Sequence, residues 1–175
     1  MSAIFGRHPE PEPATGIAAN GRPRESVWDY PRPPRVERLD RRVRVTLGGE
    51  TIVDVPEAIR VLETAGAPTV YVPLADVRSE SLRPAVGSSF CEWKGAARYW
   101  DVVAGGMTAS NAAWGYEEPA EAFAILRNCA SFYPALVECR LDDEVVEAQP
   151  GGFYGGWVTA EIAGPIKGGP GSAGW

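Results

Sequence analysis

Histidine is almost missing from this sequence. The single histidine, His8, lies in an N-terminal stretch rich in proline, glycine and charge. Catalysis by Ser/His/Asp or Cys/His groups needs an imidazole base, and one chain of this protein does not offer one in a folded region. The same scarcity excludes a histidine-ligated metal centre.

Cysteine is also scarce, and its spacing fits no known framework. The three cysteines, Cys91, Cys129 and Cys139, are far apart in the sequence. Their odd number argues against a set of disulfides, and zinc sites normally use closely spaced pairs. We therefore expect reduced thiols, no structural metal and no cofactor.

Long apolar runs are absent as well. No stretch of 18 apolar residues occurs, and the first 24 residues lack the apolar middle segment of a signal peptide. These absences predict a cytoplasmic protein with no membrane contact.

Lysine is the last scarce residue, with two lysines beside 15 arginines. Lys167 lies in a glycine-rich tail, where the order of residues does not fit a phosphate-binding loop. Lys94 lies in the stretch 91–100, which also holds a thiol, two tryptophans and a tyrosine. A lysine in an aromatic setting, in a chain that otherwise uses arginine, suggests that a compact charge or an amine is needed there.

The charges that are present divide the chain into two parts. Residues 1–44 carry a net charge of +3 and residues 45–175 a net charge of −9. An acidic body repels phosphates, so we expect no nucleic-acid partner. The basic arm is either a solvated tail or a segment that lies on its own body or on a second copy, which would allow a homo-oligomer joined through the N- and C-terminal arms.

Composition divides the chain into four segments. Residues 1–25 are predicted to be a disordered leader, and 26–35 a proline-rich strap anchored by Trp28 and Tyr30. Residues 36–148 form the domain, and 149–175 a tail rich in glycine and aromatics that docks in part through Trp157–Thr159.

Short alternating apolar runs predict a mainly β protein. The best-defined pair is Val43–Leu47 and Glu50–Val55 around Gly48-Gly49, which predicts a β-hairpin. After Pro56, the spacing of apolar residues predicts a short helix over Glu57–Thr64. Further strands are expected at Thr69–Val72, Phe90–Lys94, Ala97–Val103, Ala112–Tyr116, Ala130–Tyr133, Ala135–Leu141 and Glu144–Glu147, with a helical turn at Ala120–Phe123. The expected fold is a compact antiparallel β domain, barrel- or tent-like, with one or two short helices and extended arms.

Cys91 and Lys94 are the candidate catalytic residues. A nearby ammonium group could lower the thiol pKa and make Cys91 a nucleophile. In a regular strand, however, the two side chains point to opposite faces, and only a turn or bulge near Gly95 would bring them together. Otherwise Cys91 is a buried, inert thiol, and Lys94 pairs with Glu92 at the surface.

Clustered aromatic side chains indicate either a core or a ligand pocket. In the pocket interpretation, polar contacts come from Lys94, Arg98 or Tyr116, in the way that small-molecule sites are built. Asn111 is either a turn residue or a pocket amide. The candidate ligand-binding residues are Trp93, Arg98, Tyr99, Trp100, Trp114 and Tyr116.

Several of these motifs resemble a bacterial family catalogued as domain of unknown function 427. The likeness rests on Cys91-Glu92-Trp93-Lys94-Gly95, Tyr99-Trp100, Ala113–Tyr116 and Phe132-Tyr133, and covers about Val36 to Ala148. The resemblance implies a compact antiparallel β domain with a cleft lined by these residues. It also implies a nucleotidyltransferase label, although Gly87-Ser88 is not followed by the spaced acids that hold Mg²⁺ in such enzymes.

Three functions remain open from the sequence. The first is binding of a small anionic or aromatic ligand beside Lys94. The second is an enzyme that uses Cys91 or Lys94 as its nucleophile, with Glu92 or a tyrosine moving the proton, or a nucleotidyltransferase. The third is a non-catalytic module that joins subunits through its arms.

Overall fold

The computed structural model describes residues 8–175, which form short strands joined by turns and four short 3-10 helices. The strands are β1 (Glu25–Ser26), β2 (Arg35–Leu39), β3 (Val43–Leu47), β4 (Glu50–Val55), β5 (Ala58–Leu62), β6 (Thr69–Pro73), β7 (Leu82–Cys91), β8 (Gly95–Ala104), β9 (Met107–Tyr116), β10 (Cys129–Phe132), β11 (Glu138–Leu141), β12 (Glu144–Val145), β13 (Glu147–Ala148), β14 (Trp157–Val158) and β15 (Ile162–Ala163). The 3-10 helices are Val27–Asp29, Leu74–Asp76, Ser79–Ser81 and Glu121–Leu126. None of the helices in the described part of the chain has the length and hydropathy needed to cross a membrane.

Two antiparallel sheets make up most of the molecule. Seven strands lie in the order β2-β5-β6-β10-β9-β8-β7, and four lie in the order β12-β11-β3-β4. The seven-stranded sheet ends at β2 and β7 and does not close into a barrel. The prediction of a mainly β, antiparallel fold is confirmed.

The predicted hairpin is confirmed with its expected turn. β3 and β4 pair from Val43 opposite Val55 to Leu47 opposite Glu50, with one register shift between Val45 and Thr46. Gly48 and Gly49 have φ angles of 58° and 79°, the left-handed values that a primed two-residue turn requires and that glycine adopts without a steric cost.

The predicted helix over Glu57–Thr64 is wrong. This segment contains strand β5, which pairs with β2 on one side and β6 on the other. Both faces of β5 are covered, because Ala58 packs in the core between the sheets and Val61 packs on the opposite face. A strand with two covered faces loses its alternation, and its apolar spacing then matches that of a helix.

The remaining predicted strands coincide with observed strands, but their bounds differ: Ala135–Leu141, for example, is a strand only over Glu138–Leu141. Thr69–Val72 falls in β6, and the strands predicted around Lys94-Gly95 are the ends of a much longer pair, β7 and β8. A 3-10 helix lies where the helical turn was predicted, at Glu121–Leu126. The expected edge contact of Trp157 is also present, because β14 pairs with β13.

The two faces of the seven-stranded sheet bury different side chains. Along β6, Val70 and Val72 point into the core between the two sheets, whereas Tyr71 points to the opposite face. The core between the sheets is aliphatic apart from Trp100, Phe132 and Trp157. The opposite face is aromatic, and it carries Tyr71, Trp114, Tyr116 and Phe123, with Trp93, Tyr99 and Tyr133 packed against them.

Both arms fold back onto the domain. β1 pairs in parallel with β15, and the backbone N–H of Glu12 donates to the carbonyl of Gly164 at 2.8 Å. The leader that was expected to be disordered is therefore held by the tail from Glu12 onward, while residues 1–7 lie outside the described part of the chain. In the strap, the indole N–H of Trp28 donates to the carbonyl of Pro165 at 3.0 Å.

A buried arginine joins these peripheral segments. The Arg41 side chain is 3% exposed, and its guanidinium lies 3.0 Å from Asp142, 2.9 Å from Glu161 and 3.5 Å from Glu144. The side-chain amide of Asn20 donates to Glu144 at 2.8 Å and to Glu161 at 2.7 Å. We call these five residues the Arg41 clasp.

The clasp keeps two of its carboxylates ionised. Burial opposes ionisation of Asp142, but hydrogen bonds from the Arg41 side chain and the Arg42 backbone lower its pKa. Burial acts in the same way on Glu161, whose pKa is nevertheless lowered by hydrogen bonds from Thr159 and Asn20 and by the charge of Arg41. Both shifts mean that the folded state favours the charged clasp.

Candidate functional site

A cavity of about 200 Å³ lies on the aromatic face of the seven-stranded sheet. Its lining contains both lysines of the chain, Lys94 and Lys167, and five of the six tyrosines. The tyrosines are Tyr71, Tyr99, Tyr116, Tyr133 and Tyr154. The cavity therefore combines the scarce cation of this chain with its aromatic side chains.

The floor of the cavity is a set of tilted aromatic rings from β6, β9 and the residue after β10. Trp114 lies 4.6 Å from Tyr133 and 6.1 Å from Tyr71, measured between ring centres. Tyr71 lies 6.5 Å from Tyr116. Alternation along β9 places Trp114 and Tyr116 on one face, and this spacing makes the floor continuous.

The turn between β7 and β8 brings Cys91 and Lys94 to the same cavity. Residues 92–94 form a turn, so the regular alternation that would separate the two side chains stops at Cys91. The carbonyl of Lys94 accepts a hydrogen bond from the N–H of Ala120 at 3.0 Å, which fixes the end of the turn. The Lys94 Nζ lies 5.7 Å from the centre of the Tyr116 ring. Among the described residues, no carboxylate forms an ion pair with Lys94.

The C-terminal tail supplies the opposite wall. Gln149 is buried, and its side chain accepts from the N–H of Ala67 at 3.1 Å and donates to the carbonyl of Lys167 at 2.9 Å. A β-carbon at Gly155 would overlap the indole of Trp114, so the tail backbone lies directly on the aromatic floor. Only glycine allows this approach.

Lys167 is the cation of the tail wall, and it is paired. Its Nζ lies 3.4 Å from a carboxylate oxygen of Glu63 and 4.8 Å from the centre of the Tyr154 ring. The charged residues that line the cavity are therefore Lys94, Lys167 and Glu63, with a net charge of +1. This positive site lies in the part of the chain whose net charge is −9.

The tyrosines of the floor are neutral hydrogen-bonding groups at physiological pH. Burial raises the pKa of Tyr71, against the opposing charge of Lys94, and burial also raises the pKa of Tyr116 and Tyr133. The phenol of Tyr99 shares a hydrogen bond of 2.6 Å with the hydroxyl of Ser89. The cavity therefore offers phenol donors and aromatic faces beside its two ammonium groups.

Only one of the three cysteines faces the cavity. Cys91 is half-buried and lines it, whereas Cys129 and Cys139 are buried elsewhere, and burial raises the pKa of both. Cys91 is thus the thiol that a reagent or a ligand in the cavity can reach.

The structure brings together five of the eight candidate site residues. Cys91, Lys94, Tyr99, Trp114 and Tyr116 line the cavity, and their roles in binding or catalysis remain predictions. The other three lie elsewhere.

Strand alternation explains where these three residues lie. Tyr99 and Trp100 are neighbours on β8 and face opposite sides, so Trp100 enters the core between the sheets. Arg98 is on the same side as Trp100, and its guanidinium lies 4.6 Å from the Trp100 ring. Trp93 is in the turn and packs against the aromatic cluster without reaching the cavity.

The tail wall was not predicted from the sequence. Lys167, Gln149 and Gly155 come from a segment that composition described only as partly docked. One signal was available: Lys167 is the only lysine besides Lys94, and four aromatics accompany it in the same tail.

The cavity does not present a cluster of acids. Its one carboxylate, Glu63, is paired with Lys167, and within residues 8–175 no group of three histidine, cysteine or acidic side chains is arranged to hold a metal ion. Asp142 lies outside the cavity and belongs to the Arg41 clasp.

Comparison with known proteins places the chain in a family. A search of curated proteins finds no match. A family model described as a domain of unknown function, DUF427, matches residues 35–147, which is nearly two thirds of the chain and agrees with the resemblance seen in the sequence. The chain belongs to the DUF427 family.

Proposed function

We propose that this protein binds a small organic anion with an aromatic or otherwise apolar body in the cavity beside Lys94. The observation that carries the proposal is that both lysines of the chain line one aromatic cavity in an acidic protein. A site that concentrates the only two lysines is built around their charge.

The charge of Lys94 supports an anionic ligand. Its ammonium group has no carboxylate partner among the described residues, and it lies 5.7 Å from the centre of the Tyr116 ring. A ligand carboxylate or phosphate would supply the missing partner, and hydrogen bonds to charged groups contribute about 1.5–3 kcal/mol.

The walls support an apolar body. Trp114 and the tyrosines present ring faces and edges, and the apolar lining is interrupted by a few fixed polar groups such as the Ser89–Tyr99 pair. This combination of a largely apolar surface and a few oriented polar groups is how small-molecule sites achieve both affinity and specificity.

The test is a thermal-shift screen followed by calorimetric titration of each hit. Aromatic carboxylates, short-chain acids, sugar phosphates and nucleotides are the probes. A ligand at about 100 times its Kd stabilises the folded state by about 2.7 kcal/mol, a shift of several degrees for a domain of this size. We expect an organic acid to bind.

The variant Lys94→Met makes the test specific. It should weaken binding of the acid by about 10- to 100-fold, because the charge-assisted hydrogen bond is lost. Arg127→Met is the matched control, because Arg127 is an exposed cation that does not line the cavity. Equal affinity in wild type and Lys94→Met, or no binding of any acid, would refute the proposal.

A second candidate function is supported by the position of Cys91. The turn at residues 92–94 brings this thiol to the same cavity as Lys94, and Tyr116 lines the cavity with them, whereas Glu92 is exposed and does not. An enzyme with a Cys91 nucleophile would show alkylation of Cys91 by iodoacetamide below pH 7, well ahead of the two buried cysteines. Slow and equal labelling of all three thiols would exclude this function.

A further inference from the structure

We infer that the ligand is amphipathic: its acidic group lies beside Lys94 and an extended apolar segment leaves the cavity along an adjoining groove. This inference rests on the proposed function and specifies the class of ligand. It starts from a second concave region, a groove of about 370 Å³ next to the cavity.

The groove and the cavity share one wall. Tyr99, Tyr133 and Phe153 line both of them, so a ligand that passes between these three side chains occupies both spaces. The phenol of Tyr133 donates to the backbone carbonyl of Phe153 at 3.3 Å, which ties the tail to the shared wall.

The groove is uncharged. Its other lining residues are Val86, Gly87, Ser88, Asn111, Leu136 and Gly152, and none of them is ionisable in the physiological range. The charged side chains that line the two spaces are all in the cavity. The position of the charges therefore defines an anionic end and an apolar end.

Exposed apolar side chains cluster around these two spaces. Among residues 8–175, nine large hydrophobic residues are exposed, and five of them line the cavity or the groove: Val86, Phe90, Leu136, Phe153 and Tyr154. Val86 is 98% exposed and Phe153 is 69% exposed. Scattered exposed apolar residues are ordinary, but a cluster around a concave region is typical of a binding groove.

Two irregularities in the sheet open the groove. β7 leaves its register with β8 between Pro84 and Ser88, and Gly87 in this bulge has a φ of 106°. On β9, Asn111 has a φ of 52° where the register of β8 and β9 shifts, and its N–H donates to Asp101 at 2.9 Å. Bulges are common beside functional sites because they change the direction of side chains at a sheet edge. Both bulges border the same groove.

The experiment measures how affinity depends on ligand length. Calorimetry with straight-chain carboxylates of about four to ten carbons is carried out on the wild type, on Val86→Asn/Leu136→Asn, and on Ile125→Asn/Val145→Asn. The last variant is the matched control, because Ile125 and Val145 are exposed apolar residues that line neither the cavity nor the groove. All four substitutions are at exposed positions, so the variants should fold.

We expect affinity in the wild type to rise about two- to fourfold per added methylene over the longer members of the series, where fourfold corresponds to about 0.8 kcal/mol for a fully buried methylene. The groove variant should lose most of this dependence on length, and the control should keep it. Short acids should bind both variants like the wild type.

Two failures can be told apart. If short acids bind and need Lys94 but affinity does not rise with length, or if the groove variant keeps the wild-type dependence, the apolar extension is refuted and the anion site stands. If none of these acids and none of the organic anions of the thermal-shift screen binds, the proposed function itself fails.

Discussion

The cation of the Arg41 clasp and the cation of the Lys94 cavity have opposite electrostatic surroundings. Arg41 is 3% exposed and is surrounded by three carboxylates, two of which also accept from Asn20. Lys94 lies among aromatic rings and has no carboxylate partner in the described part of the chain. The same chain thus compensates one cation fully and leaves the other without a counter-ion.

These different surroundings indicate that the two cations have different roles. Burying a charge is costly unless it is paired and hydrogen-bonded, so the complete set of partners around Arg41 is what a structural ion cluster requires. A cation in a cavity without a counter-ion is what the proposed anion site requires. We expect variants of the first site to affect stability and variants of the second to affect binding.

Arg41→Met should have the largest effect on stability. The change leaves Glu161 buried without its cation, and breaking a buried pair in this way costs about 3–5 kcal/mol. Urea unfolding measures the loss. Arg83→Met is the control, because Arg83 is exposed and forms no ion pair among the described residues. A loss below about 1 kcal/mol would show that the clasp does not stabilise the fold.

Gly155→Ala should have the next largest effect, and it acts on the wall of the cavity. The added methyl group would overlap Trp114, so either the indole or the tail must move, at a cost of about 1–3 kcal/mol. Gly152→Ala tests the same change in the same tail, where a β-carbon meets no neighbour. Thermal unfolding and tryptophan fluorescence should distinguish the two variants, and identical behaviour would mean that the tail does not rest on Trp114.

Lowering the pH should gradually reduce the contribution of the Arg41 clasp to the free energy of unfolding. The pKa values of Asp142 and Glu161 are lowered in the folded state, so their contribution is complete above their unfolded values of about 3.9 and 4.3 and is lost as the pH falls through the folded values. The free energy of unfolding should therefore fall between about pH 5 and pH 3. Asp142→Asn should reduce this slope, whereas Asp76→Asn, at an exposed residue without an ion pair among the described residues, should not.

Lys94→Met should have the smallest effect on stability, and this result would sharpen the comparison most. The substitution removes no ion pair, and the methionine side chain can still pack beside the Tyr116 ring. We expect a change within about 0.5 kcal/mol in urea unfolding, as for surface substitutions. A loss comparable to that of Arg41→Met would make Lys94 a structural residue and remove the contrast.

The sequence predicted the fold wherever local patterns were sufficient. The β3–β4 hairpin followed from alternation around Gly48-Gly49, which the pairing of the strands reproduces. The helix predicted over Glu57–Thr64 failed because β5 is covered on both faces by contacts that no local pattern encodes. Strand β2 was missed for a related reason: its residues Arg35–Leu39 are largely polar and form an edge.

Part of the candidate site could be predicted from the sequence, and part of it could not. The scarcity of lysine indicated Lys94, and alternation on β8 could also have shown that Tyr99 and Trp100 cannot face the same cavity. Lys167 could not be placed, because its approach depends on the path of a glycine-rich tail fixed by Gln149 and by the contact of Gly155 with Trp114. Such long-range docking is a property of the folded chain.

The position of the tail wall determines when, during synthesis of the chain, the cavity becomes complete. The DUF427 match ends at residue 147, yet Gln149, Tyr154 and Lys167 complete the cavity, and β15 pairs with β1 from the opposite end of the described chain. Translation proceeds from the N-terminus, and contacts this distant in sequence form late. A nascent chain that contains only the matched region therefore lacks the tail wall of the cavity. The site proposed for the anion is complete only after the segment through Lys167 has left the ribosome and packed against the sheet.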